Sequence, residues 1–437
     1  MLTTLKNAFK IKEIRNKLLF TLGMLVVIRF GSQLPTPGIN GSIFADWFKE
    51  HTGSAFSFFD ALTGGSFMQM SLLALGINPY ITASIFMQLM TIAIPKLEEM
   101  QRDGEDGRKK IVAITRYVTI VLSLLYATAM AIAFANQGAL YDNSILTILV
   151  AIAALTAGSA FLMWVGERIT EKGVGNGISI VLVINIISRL PADLNNLFEM
   201  FVFGKPYATA ILNAAIIVGV IFGMVVLVVL LNSALRKIPV QYAKKMQGRK
   251  MVGGNTSNIP LRVNTAGVMP VIFASSVMQF PTLICSFAGI QGSGFWGEVL
   301  KGLDSNNWCR PATPNYSIGL LVYIVLIIFF AYFYTAVSFN PIEISNNLKK
   351  QGGFIPGIRP GKPTSDYLTG ILNKIIFIGA IALSIVAILP IFFTGIFDVA
   401  VSFAATSIII VVGVILETMK QVESMMAVRH YKGFLDN

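Results

Sequence analysis

Histidine and cysteine, which commonly bind transition metals or act as activated nucleophiles, are rare in this 437-residue chain. The chain has two histidines, His51 and His430, and two cysteines, Cys285 and Cys309. A catalytic metal site or an activated nucleophile needs several such groups close together, and these four do not cluster in the sequence. The sequence also lacks a phosphate-binding GxxxxGK[ST] loop. We therefore predict no catalytic residue, no metal site and no cofactor, and we do not expect the chain to be an enzyme.

The chain contains many apolar stretches that are long enough to cross a membrane as helices. Hydrophobic residues make up 54% of the chain and charged residues 13%, and the mean hydropathy is +0.70. These values exclude an ordinary soluble protein. Because about 20 apolar residues span the hydrocarbon core as a helix, we predict an all-α membrane protein with ten transmembrane helices. The predicted spans lie at about residues 18–34, 74–95, 111–135, 145–166, 174–190, 208–232, 266–288, 317–338, 371–394 and 399–419.

Ionisable side chains are missing from the middle of the predicted spans. Glu167 and Glu417 lie at cytoplasmic ends of spans, and no Asp or Glu falls mid-span. An ion-coupled carrier keeps acids or bases at membrane depth, and an intramembrane protease needs a Ser/His pair or two aspartates there. The sequence therefore argues against a membrane enzyme, and a cavity between the spans is expected to work without charge.

Lys and Arg are distributed unequally between the two sides of the membrane. With the N-terminus inside, the inner loops and termini hold 26 of the 34 basic residues, the outer loops hold five, including Arg189, and the helices hold three. This asymmetry follows the positive-inside rule and places both termini in the cytoplasm. It also accounts for most of the net charge of +12 without a nucleic-acid partner. Cys285 and Cys309 both fall on the outer side, where they could form a disulfide or remain unpaired small side chains.

The stretch from Ser54 to Pro95 contains no Lys or Arg and is about twice as long as one span requires. Gly64 and Gly65 interrupt its first half, and Pro79 marks where a second helix begins. Non-helical backbone at membrane depth must be enclosed by protein or face water. We therefore predict that residues around 58–70 form a short re-entrant helix that enters a cavity.

The ten spans divide into five and five. A repeated five-helix unit would insert its second copy upside down, and inverted repeats enclose a site at their interface. We predict an N-terminal half, residues 1–190, and a C-terminal half, residues 191–437. Pro270 and Pro281 are expected to bend span 7, as a separable seam between the halves would require. An inverted-repeat solute symporter would share this layout, but uninterrupted spans 1 and 6 and the lack of a coupling charge argue against it.

Two cytoplasmic loops are too long to be simple connections. Residues 236–264 carry seven basic residues, and residues 339–369 carry four Pro and four Gly, which are typical of defined turns. A flexible connector would also fit, but long loops in compact folds are usually functional. We predict that both loops form a docking surface for a large partner.

Two apolar pairs have the spacing of one helix face. Ile81 and Ile85 are four residues apart on span 2, and Leu182 and Ile186 repeat this spacing on span 5. Apolar side chains can close a pore by excluding water from a constriction. They are also the commonest packing and lipid-facing residues, and spacing alone does not distinguish these roles.

Six stretches closely resemble the SecY family of protein-conducting channels, in the right order and spacing over essentially the full length. They are LGINPYITASIFMQLM (75–90), LEEMQRDGEDGRKKI (97–111), EKGVGNGISI (171–180), RVNTAGVMPVIFASS (262–276), GGFIPGIRPGKPT (352–364) and TSIIIVVGVILETMKQVESMM (406–426).

The resemblance implies two inverted five-helix halves around an hourglass pore. The implied apolar pore ring consists of Ile81, Ile85, Leu182, Ile186, Ile272 and Ile410; Leu182 stands where some relatives have Ile. The implied plug is a segment at about residues 59–72 that includes Phe59, Gly64, Gly65 and Phe67. The implied lateral gate, an opening sideways into the membrane, lies between Gln88 and Thr91 on one side and Ala274, Ser275 and Gln279 on the other.

The same resemblance implies a passive gated channel subunit of the bacterial cytoplasmic membrane. It would conduct unfolded polypeptides across the membrane and release signal or transmembrane helices into the lipid. The expected partners are the SecE and SecG subunits, the SecA ATPase motor, the ribosome, substrates with signal sequences, and membrane lipids. Arg249, Lys250 and Arg359 match basic residues of the family's docking loops. A guanidinium there could bind a partner carboxylate or a phosphate of ribosomal RNA.

Overall fold

The computed structural model describes residues 2–432 except 42, 45–59, 61, 137, 143, 204–205, 243–244, 248–249, 253–255, 288–294, 311–312 and 398–405. Within the described N-terminal part the helices are α1 (Leu2–Lys10), α2 (Lys12–Gly31), α3 (Asn78–Ala93), α4 (Pro95–Arg102), α5 (Glu105–Asn136), α6 (Ile145–Lys172) and α7 (Gly177–Phe201). Pro79 lies in the first turn of α3, where its missing N–H costs nothing. The α7 helix begins after Asn176, whose side chain accepts hydrogen bonds from the backbone N–H groups of Ile178 and Ser179.

The described C-terminal part continues the helical pattern with a small sheet inserted. Its elements are α8 (Tyr207–Ser233), β1 (Leu235–Tyr242), β2 (Lys245–Gln247), β3 (Lys250–Val252), β4 (Thr256–Arg262), α9 (Met269–Phe287), α10 (Phe295–Leu303), α11 (Ile318–Ser338), α12 (Pro341–Lys350), β5 (Gly353–Phe354), α13 (Lys362–Phe397) and α14 (Thr406–Lys432).

Each of the ten predicted spans coincides with one helix: α2, α3, α5, α6, α7, α8, α9, α11, α13 and α14. Among the described residues, six helices are individually long and apolar enough to cross a membrane, and α3 together with α4, bent by 105° between Ala93 and Pro95, makes a seventh. The predicted mostly helical membrane fold is therefore confirmed.

Two details of the spans differ from expectation. The α7 helix continues to Phe201, so Arg189 lies inside this helix and not in an outer loop. Pro270 lies in the first turn of α9, so within this helix only Pro281 can disturb the backbone hydrogen bonds. Cys285 and Cys309 are both free thiols.

The two loops predicted to be cytoplasmic form one β-sheet, which the prediction of an all-α protein did not include. Strands β1 and β4 pair antiparallel from Leu235↔Arg262 to Gln241↔Thr256. Strand β5, from the second loop, pairs with the end of β1 through Gln241↔Phe354 and Tyr242↔Gly353. The two loops therefore form one structural unit.

The main hydrophobic core lies between the two halves. Its largest cluster draws buried side chains from α2, α3, α6, α7, α8, α9, α11, α13 and α14. Across the halves, α7 contacts α14 and α5 contacts α9. A second cluster joins the segment after α2 to α5 and α6 through residues such as Phe44, Phe67 and Phe134.

Candidate functional site

All six residues of the predicted pore ring belong to the main core cluster. Ile81 and Ile85 come from α3, Leu182 and Ile186 from α7, Ile272 from α9, and Ile410 from α14. Each is 6% exposed or less, although the two halves contribute them from distant parts of the chain. The structure thus gathers six branched apolar side chains from four helices, and their role in closing a pore remains a prediction.

The segment that precedes α3 rests directly on α7. The Asn185 side chain donates from Nδ2 to the Leu62 carbonyl oxygen at 3.2 Å. Gly64 lies so close to α7 that an added Cβ would be 2.8 Å from the Asn185 carbonyl oxygen and 2.9 Å from Ser188 Oγ. Leu62 belongs to the same core cluster as the predicted pore ring. The segment therefore contacts α7 and contributes Leu62 to the apolar cluster that contains the predicted ring.

The predicted re-entrant helix is shorter than expected. The described residues are helical at Asp60 and at Leu62 and Thr63, whereas residues 64–70 form turns. Gly64 and Gly65 have φ values of +70° and +84°, a left-handed conformation that ends a helix and favours glycine. The expectation of a helix around residues 58–70 is therefore wrong beyond Thr63, because this pair of glycines terminates it.

Phe67 does not face the predicted ring. Its fully buried aromatic side chain makes an edge-to-face contact with Phe44, at 5.5 Å between ring centroids, and Phe44 in turn contacts Phe134 of α5. The backbone N–H of Thr36 donates to the Met70 carbonyl oxygen at 2.9 Å. These contacts hold the far end of the segment against the chain that follows α2. Phe59 lies outside the described residues.

The segment before α3 carries a buried charge that the sequence analysis did not predict. Asp60 is fully buried and forms an ion pair with Arg189 of α7. Asp193, one helical turn further on α7, places Oδ1 3.6 Å from Arg189 Nε. Asp60 Oδ1 also accepts from the backbone N–H of Met68 at 2.8 Å. A sequence signal was available, since Asp60 is the single charged residue between Ser54 and Pro95 and a buried carboxylate needs a partner.

The predicted lateral-gate residues lie on two helices, with different degrees of burial. On α3, Thr91 is buried and Gln88 half-buried; on α9, Ala274 and Ser275 are buried and Gln279 is half-buried. Their hydroxyl groups bond within their own helices, with Thr91 Oγ1 donating to the Gln88 carbonyl oxygen at 2.7 Å and Ser275 Oγ to that of Ile272 at 2.9 Å.

A cross-half contact closes the seam beside these residues. Tyr126 of α5 meets Phe280 of α9 edge-to-face, with ring centroids 6.3 Å apart. Tyr126 also shares a hydrogen bond with Thr82 of α3. This aromatic contact joins α5 to α9 without a charged group.

A polar pocket lies between the end of α8, the segment before α9, and α14, lined by residues that include Arg262, Asn264 and Glu417. Lys420 Nζ donates to the Asn232 carbonyl oxygen at 3.0 Å, and Asn264 Nδ2 donates to Asn232 Oδ1 at 2.8 Å. Burial lowers the pKa of Lys420, and the nearby Arg262 lowers it further. These bonds connect the end of α8, the segment before α9, and α14.

The second cytoplasmic loop presents Arg359 on a braced turn. The Arg359 side chain is exposed, while its carbonyl oxygen accepts from Thr364 Oγ1 at 2.8 Å. Ser345 Oγ of α12 donates to the Gly361 carbonyl oxygen at 2.7 Å. The turn is thus fixed to α12 and α13 with its guanidinium pointing to solvent. Lys250 begins β3, and Arg249 lies outside the described residues.

Comparison with known proteins identifies the family. The SecY family profile matches residues 71–419. The chain is 42% identical to protein translocase subunit SecY of Streptomyces scabiei and 43% identical to that of Halalkalibacterium halodurans, in each case across 100% of both chains. Its fold is similar to that of a solved protein-conducting channel, with a TM-score of 0.64 and 18% identity over 94% of this chain and 92% of the other. It is also similar to Sec61 of the canine ribosome–channel complex, with a TM-score of 0.59 and 16% identity over 94% and 92%. The chain belongs to the SecY family.

Proposed function

We propose that the chain is the channel-forming subunit of a protein translocase. It conducts unfolded polypeptides across the membrane and releases signal or transmembrane helices sideways into the lipid. The observation that supports this proposal is the burial of the six predicted ring side chains in one apolar cluster, which also includes Leu62 of the segment that is hydrogen-bonded to α7. An apolar constriction gives a passing peptide nothing specific to bind, so it accepts many sequences and still hinders ions at rest.

The two openings follow from the same architecture. Residues 1–190 and 191–437 form two halves that move apart at the seam between α3 and α5 on one side and α9 on the other. Because Tyr126 and Phe280 hold the seam by aromatic packing, a hydrophobic helix can replace that contact at little cost. Displacement of the 59–72 segment from α7 opens the path across the membrane.

The shared cytoplasmic sheet and the Arg359 turn form the docking surface for an ATPase motor and the ribosome. A guanidinium on a braced turn can bind a carboxylate or a ribosomal RNA phosphate through two parallel hydrogen bonds. SecE and SecG are the proposed membrane partners. The motor supplies nucleotide hydrolysis, and this chain breaks no bond. The Lys and Arg distribution supports a location in the cytoplasmic membrane with both termini inside.

Reconstitution tests this proposal. Vesicles that contain this chain, its small partner subunits, the ATPase motor and ATP are expected to protect a presecretory polypeptide from added protease. Matched vesicles without ATP, and matched vesicles without this chain, are expected to leave the polypeptide digestible. Solute uptake driven by an ion gradient, with no protection of the polypeptide, would overturn the proposal in favour of a symporter.

A further inference from the structure

Arg189 lies between two carboxylates that belong to different parts of the molecule. Asp60 is part of the segment seated on α7, whereas Asp193 is part of α7 itself. The Asp60 side chain is fully buried, and the side chains of Asp193 and Arg189 are 6% and 20% exposed. The one cation is therefore shared by an acid that can move and an acid that cannot.

The two acids use different nitrogens of the guanidinium. Asp60 pairs with the terminal Nη1 through Oδ2, while Asp193 Oδ1 lies 3.6 Å from Nε. The guanidinium is a rigid fork with five N–H donors, so it can hold both carboxylates at once. The other oxygen of Asp60 accepts from the Met68 N–H, which makes Asp60 a link between the turn at residues 64–70 and α7.

Separating a buried ion pair is costly when one charge is left behind without a partner. If Arg189 had only Asp60, displacing the segment from α7 would leave a cation unpaired inside the protein. Asp193 removes that problem, because it stays on the same helix as Arg189 after Asp60 has left. Asp60 itself then moves toward the pore, where water can solvate its carboxylate.

We propose that Asp60, Arg189 and Asp193 form an ion-pair switch that controls release of the 59–72 segment. In the resting state Arg189 binds Asp60 and holds the segment on α7, and after displacement Asp193 holds Arg189. This inference rests on the proposed channel function. It identifies the three charged side chains that determine how easily the segment is released from α7. The switch requires the two acids to have opposite effects on release of the segment: the Asp60 carboxylate opposes release, and the Asp193 carboxylate favours it.

The test compares Asp60→Asn with Asp193→Asn in reconstituted membranes, with resting ion conductance and export of a polypeptide with a defective signal sequence as the readouts. Asp60→Asn removes the resting partner of Arg189, so we expect resting conductance to rise by about tenfold or more and the defective signal to be better tolerated. Asp193→Asn removes the partner needed after release, so we expect conductance to fall below the wild-type value and the defective signal to be exported less.

Glu199→Gln is the matched control, because Glu199 is an exposed acid on the same helix that accepts from Asn195 Nδ2 at 2.9 Å. It is expected to leave both readouts unchanged. A purely structural role of the two acids would shift both readouts the same way in Asp60→Asn and Asp193→Asn. That result, or no shift in either variant, would overturn the switch.

Arg189→Lys keeps the test informative if Asp60→Asn does not assemble. A lysine retains the cation but cannot bind two carboxylates as a fork, so conductance is expected to rise, by less than in Asp60→Asn. Wild-type conductance in Arg189→Lys would contradict the inference. Protease protection by wild-type vesicles distinguishes failure of the channel proposal from failure of the switch proposal. If wild-type vesicles do not protect the polypeptide, the proposed channel function is wrong. If they do protect it and the variants leave both readouts unchanged, only the proposed switch is wrong.

Discussion

The contact of Gly64 with α7 allows the seating of the 59–72 segment to be tested by one methyl group. Gly64 and Gly65 both have positive φ values, +70° and +84°. An alanine at either position therefore carries the same kind of backbone strain, about 1–2 kcal/mol. At Gly64 the new Cβ would also lie 2.8 and 2.9 Å from backbone atoms of Asn185, whereas at Gly65 it would meet nothing within 4 Å. The two substitutions thus differ in the contact with α7 and in little else.

The size of the difference follows from overpacking. Forcing one extra carbon against backbone atoms that cannot rotate away costs about 1–3 kcal/mol. Since 1.4 kcal/mol is a tenfold change in an equilibrium constant, Gly64→Ala is expected to weaken seating of the segment roughly 5- to 140-fold more than Gly65→Ala. The added methyl acts on the seated state, because a displaced segment has no contact with Asn185.

Resting ion conductance of the purified channel in planar bilayers measures this effect. Gly64→Ala is expected to raise the conductance well above that of Gly65→Ala, and Gly65→Ala is expected to differ modestly from wild type. Thermal unfolding of both variants in detergent controls for a general loss of stability. Equal conductance of the two variants would refute the idea that the segment is seated on α7 at Gly64.

Three further substitutions test other parts of the molecule. Ile410→Asn places an amide in the apolar cluster at a cost of about 1–3 kcal/mol, so resting conductance should rise and defective signal sequences should be better tolerated; unchanged values for both would show that Ile410 does not line the pore. Arg359→Glu reverses an exposed charge, so folding stability should change by less than about 0.5 kcal/mol while motor-driven export falls; normal export at normal protein levels would exclude the docking role. Gly158→Ala would force a Cβ against the Leu72 carbonyl oxygen and should lower the unfolding temperature of the purified protein, whereas Gly223→Ala, with nothing within 4 Å, should not. Equal unfolding temperatures of the two variants would argue against close packing of α6 on the segment before α3.

The helices were predictable because each depends on a local property of the chain. Runs of about 20 apolar residues predict the spans, since a helix satisfies every backbone hydrogen bond internally in lipid. The predicted fifth span ends at about residue 190, whereas α7 continues to Phe201 and carries Arg189 and Asp193 within the helix. The ion pairs of Arg189 with Asp60 and with Asp193 offset part of the cost of burying these charged side chains.

The positions of the candidate site residues were predictable only in part. The i, i+4 spacing of Ile81 and Ile85 puts them on one face of α3, and the family resemblance singled them out among many apolar residues. Their meeting with Ile272 and Ile410 depends on how the two halves pack, which spacing does not encode. Phe67 shows the same limit, because it lies in the predicted plug yet packs on Phe44 and not on the ring.

The sequence by itself determined the membrane class and the family, because hydropathy and motif order are properties of short segments. The ten spans and their orientation stay predictions from hydropathy and from the distribution of Lys and Arg. Only the tertiary structure decided that the two cytoplasmic loops share one sheet, that Gly64 and Gly65 end the short helix against α7, and that Asp60 pairs with Arg189. Each of these joins residues far apart in the chain. Such pairings are set by the packing of whole helices and by the need of a buried charge for a partner, and no local pattern specifies them.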